Sequence, residues 1–182
     1  MKVELREKLL HKRNQLEEYE IQAISNQIYK NITELGVFQR ASMVHCYLSL
    51  PKEVSTGLII NDLLEESKNV VVPRVIKGSN KMEHILLSTQ EQLARNPWGI
   101  LEPLGGNQIP IKLLDMVIVP MVGGDREGNR LGYGKGFYDQ FLAEVECYKI
   151  GLVPEICLVD RLPIEPHDVK LDMIVTEHSV IT

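Results

Sequence analysis

The stretch Asp115-Met-Val-Ile-Val-Pro120-Met-Val-Gly-Gly-Asp125-Arg-Glu-Gly-Asn-Arg130-Leu-Gly-Tyr-Gly-Lys135-Gly-Phe-Tyr-Asp139 decides the fold of this chain. After Asp115, residues 116–120 are apolar and rich in β-branched side chains, the pattern of a strand buried on both faces. Phe137, Phe141 and Leu142 then recur at helical spacing. Between strand and helix lie Gly132, Gly134 and Gly136, alternating with Tyr133 and Lys135 and preceded by Arg130 and Leu131. A glycine-rich, basic connection of this kind lets backbone N–H groups point at phosphate, and the helix N-terminus adds partial positive charge.

Outward from this unit, periodicity predicts an amphipathic helix over 2–17. Leu5, Leu9 and Leu16 mark one face, and Lys2, Arg6, Lys8, Lys12 and Arg13 make it basic. A second helix over 18–35 carries Ile21, Ile24, Ile28 and Ile32, with Gly36 as its stop. Strands are expected at 43–48, 70–72 (closed by Pro73), 82–87, 148–153 and 173–176, and helices at 58–64 and 137–146. Residues 96–110, rich in Gly and Pro, read as irregular. Strands alternating with helices, the strands nearly continuous in apolar residues, indicate the α/β class. The expectation is a three-layer αβα, Rossmann-like arrangement with a largely parallel sheet, as a single domain over 1–182. In such sheets ligands gather at the carboxyl ends of the strands, where the glycine loop sits.

Composition narrows the function classes. The chain has 182 residues, 44% of them hydrophobic and 25% charged, with a net charge of −5. No global field draws it to nucleic acid or an anionic membrane, so any anion must be bound by a local cluster. Cys46, Cys147 and Cys157 are odd in number and lack metal-site spacing, which fits a reducing compartment. The first residues have no signal-peptide core, and no apolar run reaches membrane-span length. A cytoplasmic monomer acting on small molecules, without nucleic-acid or membrane partners, is expected.

The glycine segment matches neither common phosphate fingerprint. Lys135 is followed by Gly136 where the P-loop needs Ser or Thr, and Phe137 stands where the dinucleotide motif needs its third glycine. Asp139, four residues after Lys135, falls on the same side of the first helical turn. A carboxylate beside a phosphate cradle suits Mg²⁺. A turn in which Lys135 and Asp139 form a solvated ion pair is the other reading of the same residues.

The segment from Asp125 to Asp139, following Val119-Pro120, resembles the 5-formyltetrahydrofolate cyclo-ligases, also called methenyltetrahydrofolate synthetases. The likeness extends in order through Leu5-Arg6 with Arg13, Tyr47-Leu48-Ser49-Leu50 with Glu53, Val72-Pro73-Arg74, Trp98 to Pro103, Leu162 to Asp168, and Asp172 to Glu177. It departs at Gly124, where the family usually has Phe, so that Gly123-Gly124 reads as a looser entry to the motif, and at Pro154 and Cys157, where Phe and Gln are usual.

The resemblance implies an ATP- and Mg²⁺-dependent ligase that converts 5-formyltetrahydrofolate to 5,10-methenyltetrahydrofolate, releasing ADP and phosphate. Arg130 and Lys135 would be the catalytic cations. Lys2, Arg6 and the run Arg130, Leu131, Gly132, Tyr133, Gly134, Lys135, Gly136, Phe137 and Tyr138 would bind ATP. Leu48, Glu53 and Trp98, with Tyr133 to Phe137, would bind the folate, and Asp139 and Asp172 would hold Mg²⁺. Without the family, Lys2 and Arg6 read as a solvated helix end, Asp172 as a cap, His167-Asp168 as a local hydrogen bond, and His45 as a satisfied core histidine. A different phosphate-using enzyme, or a nucleotide- or folate-binding protein without turnover, also accommodates these residues.

Overall fold

The structure is a computed structural model that describes residues 1–96 and 100–182. In chain order it forms α1 (Lys2–Asn14), α2 (Glu18–Thr33), α3 (Gly36–Arg40), β1 (Met43–Cys46), α4 (Gly57–Glu65), β2 (Asn69–Val75) and β3 (Met82–Leu87). There follow β4 (Leu93–Arg95), β5 (Leu101–Pro103), β6 (Met116–Pro120), β7 (Gly123–Asp125), β8 (Arg130–Leu131), α5 (Phe137–Glu144) and β9 (Tyr148–Leu152). The chain ends with β10 (Leu158–Val159), β11 (Met173–Val175) and β12 (Val180–Ile181).

The main sheet runs in the order β12-β11-β9-β6-β1-β2-β3, parallel from β11 to β2 and antiparallel only at its two edges. Period-two alternation sends its apolar residues to two cores. Val44, Cys46, Val70, Val72, Met116, Ile118, Ile150 and Leu152 pack under α2, α3 and α4. Val71, Val117, Val119 and Ile174 pack against Phe141, Leu142 and Val145 at α5. This is the expected three-layer architecture. No helix among the described residues is long and apolar enough to cross a membrane.

Three local expectations are corrected. Gly36 starts α3 rather than stopping α2, whose C-cap Glu34 is right-handed. Pro73 does not close β2. The strand runs on to Val75, because β1 has ended its pairing at His45↔Val71 and only β3 remains alongside Pro73. Gly124 does not loosen the motif. It is buried in a second sheet, β10-β7-β8, and a Cβ there would stand 2.6 Å from Met121 Cε and 2.9 Å from Ile174 Cδ1. Those two side chains fill the space that a larger residue would need.

Topology also fixes where a ligand can go. From β1 the chain crosses to β2 through α4 on one face, and from β6 it crosses to β9 through α5 on the other. The two crossovers diverge, leaving a crevice beyond the carboxyl ends of β1 and β6.

Candidate active site

A cleft of about 540 Å³ opens at this crevice. Tyr47, Leu48, Leu50 and Glu53 line it from the segment after β1, Pro120 from the end of β6, and Pro73 and Val75 from β2. Gly132 to Asp139 form a further wall.

The glycine wall is more built than a loop. After β6 the chain folds back as the β7–β8 hairpin, and Asp125 is its hub. Fully buried, the Asp125 carboxylate accepts hydrogen bonds from Glu127 N (3.0 Å), Asn129 N (3.0 Å), Asn129 Nδ2 (2.9 Å) and Leu162 N (2.8 Å). Burial pushes its pKa up, but these donors outweigh burial and hold it below the usual carboxylate value. Gly134 and Gly136 then take φ of 80° and 75°, which L side chains rarely adopt, and Gly136 is the N-cap of α5. Arg6 on α1 grips the loop from behind. Its Nε donates to Gly132 O at 2.7 Å, and its Cζ lies 3.1 Å from where a Gly134 Cβ would be.

The charged residues divide into braced and free. Arg130 donates through Nη2 to Asp139 Oδ1 and through Nη1 to Pro120 O at 3.4 Å, with its guanidinium 6.0 Å from the Tyr138 ring centroid. Its side chain is 5% exposed and that of Asp139 is 32% exposed, so the acid faces the cleft more than the cation does. Asp139 therefore pairs with Arg130 and not with Lys135. Lys135 is exposed on the cleft and makes no ion pair among the described residues.

On the wall formed by the segment after β1, Glu53 is 7% exposed. Its Oε2 accepts from Leu50 N at 2.7 Å and its Oε1 from Tyr133 Oη. Burial pushes the Glu53 pKa up, against the lowering effect of the Tyr133 and Leu50 hydrogen bonds and the Arg13 charge. Behind Tyr133, Arg13 is 4% exposed with its Cζ 5.6 Å from the ring centroid. Tyr138 Oη is buried beside the cleft and makes no hydrogen bond among the described residues.

Several expected site residues lie elsewhere. Lys2 Nζ is held by Glu165 (2.8 Å) and Asp168 (2.6 Å), away from the cleft. Burial disfavours its charge, but those two acids outweigh burial and raise its pKa. Glu165, His167 and Asp168 bring ligand atoms within 4.8 Å of one another, and the Lys2 ammonium already pairs with two of them. Asp172 precedes β11 at the amino end of the sheet, where its Oδ2 accepts from Lys149 N at 2.8 Å. The structure does not bring it to Asp139, because Asp139 lies in the first turn of α5 at the carboxyl end. Leu131 packs with Leu9, Val122 and Leu162, away from the cleft. Trp98 lies outside the described residues. His45 is core but not satisfied, since neither ring nitrogen has a partner among the described residues.

Sequence reading missed Arg13 as a buried residue. The signal was present: position 13 continues the Leu5–Leu9 stripe by one helical turn.

A glycine-rich loop bordering a cleft at the switch point of an αβα sheet defines the class: an α/β scaffold whose ligand crevice lies beyond the carboxyl ends of its strands. Comparison with known proteins narrows it. Residues 1–177 match the model of the 5-formyltetrahydrofolate cyclo-ligase family. A relative named probable 5-formyltetrahydrofolate cyclo-ligase in Schizosaccharomyces pombe is 34% identical, covering 91% of this chain and 90% of its own. The Mus musculus 5-formyltetrahydrofolate cyclo-ligase is 33% identical, over 78% of this chain and 76% of its own. The solved structure of the Aquifex aeolicus 5,10-methenyltetrahydrofolate synthetase superposes with a TM-score of 0.87 at 34% identity, covering 98% of this chain and 91% of that one. The chain belongs to the 5-formyltetrahydrofolate cyclo-ligase family.

Proposed function

We propose that this protein converts 5-formyltetrahydrofolate to 5,10-methenyltetrahydrofolate with ATP, releasing ADP and phosphate. One observation carries the reading. A single cleft has a buried carboxylate, Glu53, on one wall and a glycine-rich loop with the exposed Lys135 on the other.

The chemistry suits these two walls. A formamide carbonyl is a poor electrophile and its oxygen a poor leaving group. Transfer of the terminal phosphoryl group of ATP to that oxygen expels ADP and gives an imidate phosphate. The second folate nitrogen then attacks the formyl carbon, the C–O bond breaks to release phosphate, and the nitrogen loses its proton as the ring closes. Phosphoryl transfer of this type depends on positioning and charge neutralisation more than on a protein nucleophile. The backbone N–H groups around Gly134 and Gly136 and the Lys135 ammonium meet that demand. Glu53 suits the adjacent N–H donors on the amino-pyrimidine edge of a pterin, and Leu48 and Leu50 supply apolar wall beside it.

Mg²⁺ fits at Asp139, a part-exposed carboxylate at the loop end of the cleft with Oδ2 unbonded among the described residues. One such carboxylate plus phosphate oxygens is an ordinary Mg²⁺ set. The ion would neutralise charge on the phosphates. Asp172 has no part in that set.

Mixing protein, MgATP and 5-formyltetrahydrofolate tests the reading, with formation of the methenyl chromophore as the expected result. Folate binding without chromophore would sink it, as would ADP release that requires a different acceptor.

A further inference from the structure

We infer that Arg13, which does not itself line the cleft, is a positioning residue for folate: its buried guanidinium braces the Tyr133 ring and balances the charge of Glu53. The inference rests on the folate reading above and deepens it.

Three observations converge. Arg13 is 4% exposed, yet its Nε has no hydrogen-bond partner among the described residues. A buried guanidinium is costly unless a charge or a ring compensates it. The compensation in reach is the Tyr133 ring, whose centroid is 5.6 Å away, and the Glu53 carboxylate that accepts the Tyr133 hydroxyl. Leucine at position 13 would simply extend the Leu5–Leu9 packing stripe of α1, so packing alone does not call for an arginine there.

The groups around Glu53 come from every neighbouring element. They are Leu50 N from its own loop, the Tyr133 hydroxyl from the glycine wall, Tyr47 from the segment after β1, Tyr138 from α5, and Arg13 from α1. Arg13 is the cation of that set. Removing it leaves burial to act on Glu53 with only two hydrogen bonds in opposition, so the carboxylate protonates at higher pH. A protonated Glu53 loses acceptor capacity toward a donor-rich pterin edge.

The test is the pH dependence of kcat/KM for the folate in wild type, Arg13→Met and Arg13→Lys. For Arg13→Met, the acid limb should move up by about one pH unit and the folate KM should rise about tenfold. The KM for ATP should stay near wild type. Arg13→Lys keeps the charge and should restore the acid limb, but it lacks the delocalised guanidinium with its several donors beside Tyr133, so folate KM stays raised. A folded Arg13→Met with wild-type folate KM and acid limb overturns the inference. If Arg13→Met proves unfolded by circular dichroism, Arg13→Lys decides, and a wild-type folate KM there overturns it equally. Carbon-13 NMR titration of glutamate side chains reads Glu53 without turnover. An inactive wild type whose Glu53 still responds to Arg13 refutes the folate reading and sustains the coupling. An active wild type with Glu53 unmoved by Arg13→Met refutes the coupling.

Discussion

Lys135 and Asp125 occupy one continuous motif but do opposite work. Lys135 is exposed on the cleft with no ion pair among the described residues, so its charge is free for an incoming anion. Lys135→Ala should cut kcat by about 100-fold or more, the scale of losing one aimed cation or donor, while the thermal melt stays at the wild-type value. A wild-type rate would remove the loop from the chemistry. Asp125 is wholly buried and feeds four donors. Asp125→Ala orphans them, Leu162 N included, and should destabilise the fold by about 3 kcal/mol in urea titration. An intact melt would show that water replaces the carboxylate. The family motif thus mixes a cleft-facing residue with a structural one, and a sequence prints both alike.

At the scale of elements, α1 and the β7–β8 hairpin act as one latch for the glycine wall. Leu9 of α1 packs with Val122 and Leu131, and Arg6 and Arg13 reach the loop at Gly132 and Tyr133. The approach is close because position 123 has no side chain. A Cβ there would stand 2.4 Å from Leu9 Cδ1 and 2.9 Å from Cys157 O. Gly123→Ala should therefore cost about 1–3 kcal/mol in denaturant titration, as overpacking does, and should raise KM for both substrates by shifting α1. Unchanged stability would mean that α1 rides up without strain. The sequence showed α1 as a basic amphipathic helix, but not which element it covers. That partner depends on a hairpin of Gly123, Gly124, Arg130 and Leu131, which lacks the strand-forming residue types from which β structure is read.

Across the whole molecule, the buried histidines set an acid limit on stability. His45, on the central strand β1, is fully buried among His84, Tyr138 and Phe141, with ring centroids 5.2, 6.2 and 4.7 Å away. Burial lowers the His45 pKa well below its ordinary value, and the neighbouring His84 lowers it further. Burial also lowers His84, against a raising effect from Glu144. A base with a depressed folded pKa contributes stability that is present above its unfolded value, about 6.5, and lost as pH falls below it. The unfolding free energy should therefore drop between pH 7 and pH 5. The depressed carboxylates Asp125 and Asp168 keep their stabilising contribution throughout that window and lose it only at more acidic pH, below their ordinary value. His45→Leu should flatten the slope, as read from urea midpoints at the two pH values. An unaltered slope would place the acid sensitivity outside this cluster.

By itself the sequence determined the layers and the loop. Apolar strand runs such as Val117 to Val119 and the isoleucine spacing of α2 are local patterns, legible within each segment without knowledge of its distant contacts. The glycines at 134 and 136 likewise announce a backbone that other residues resist. Tertiary structure alone decided which charges meet. Arg130 rather than Lys135 takes Asp139, Lys2 is drawn off to Glu165 and Asp168, Asp172 stays at the far end of the sheet, and Arg13 is buried behind Tyr133. Charged side chains are long, and their partners come from segments up to 166 positions apart in the chain. Pairing therefore follows from how elements pack, which no local pattern encodes.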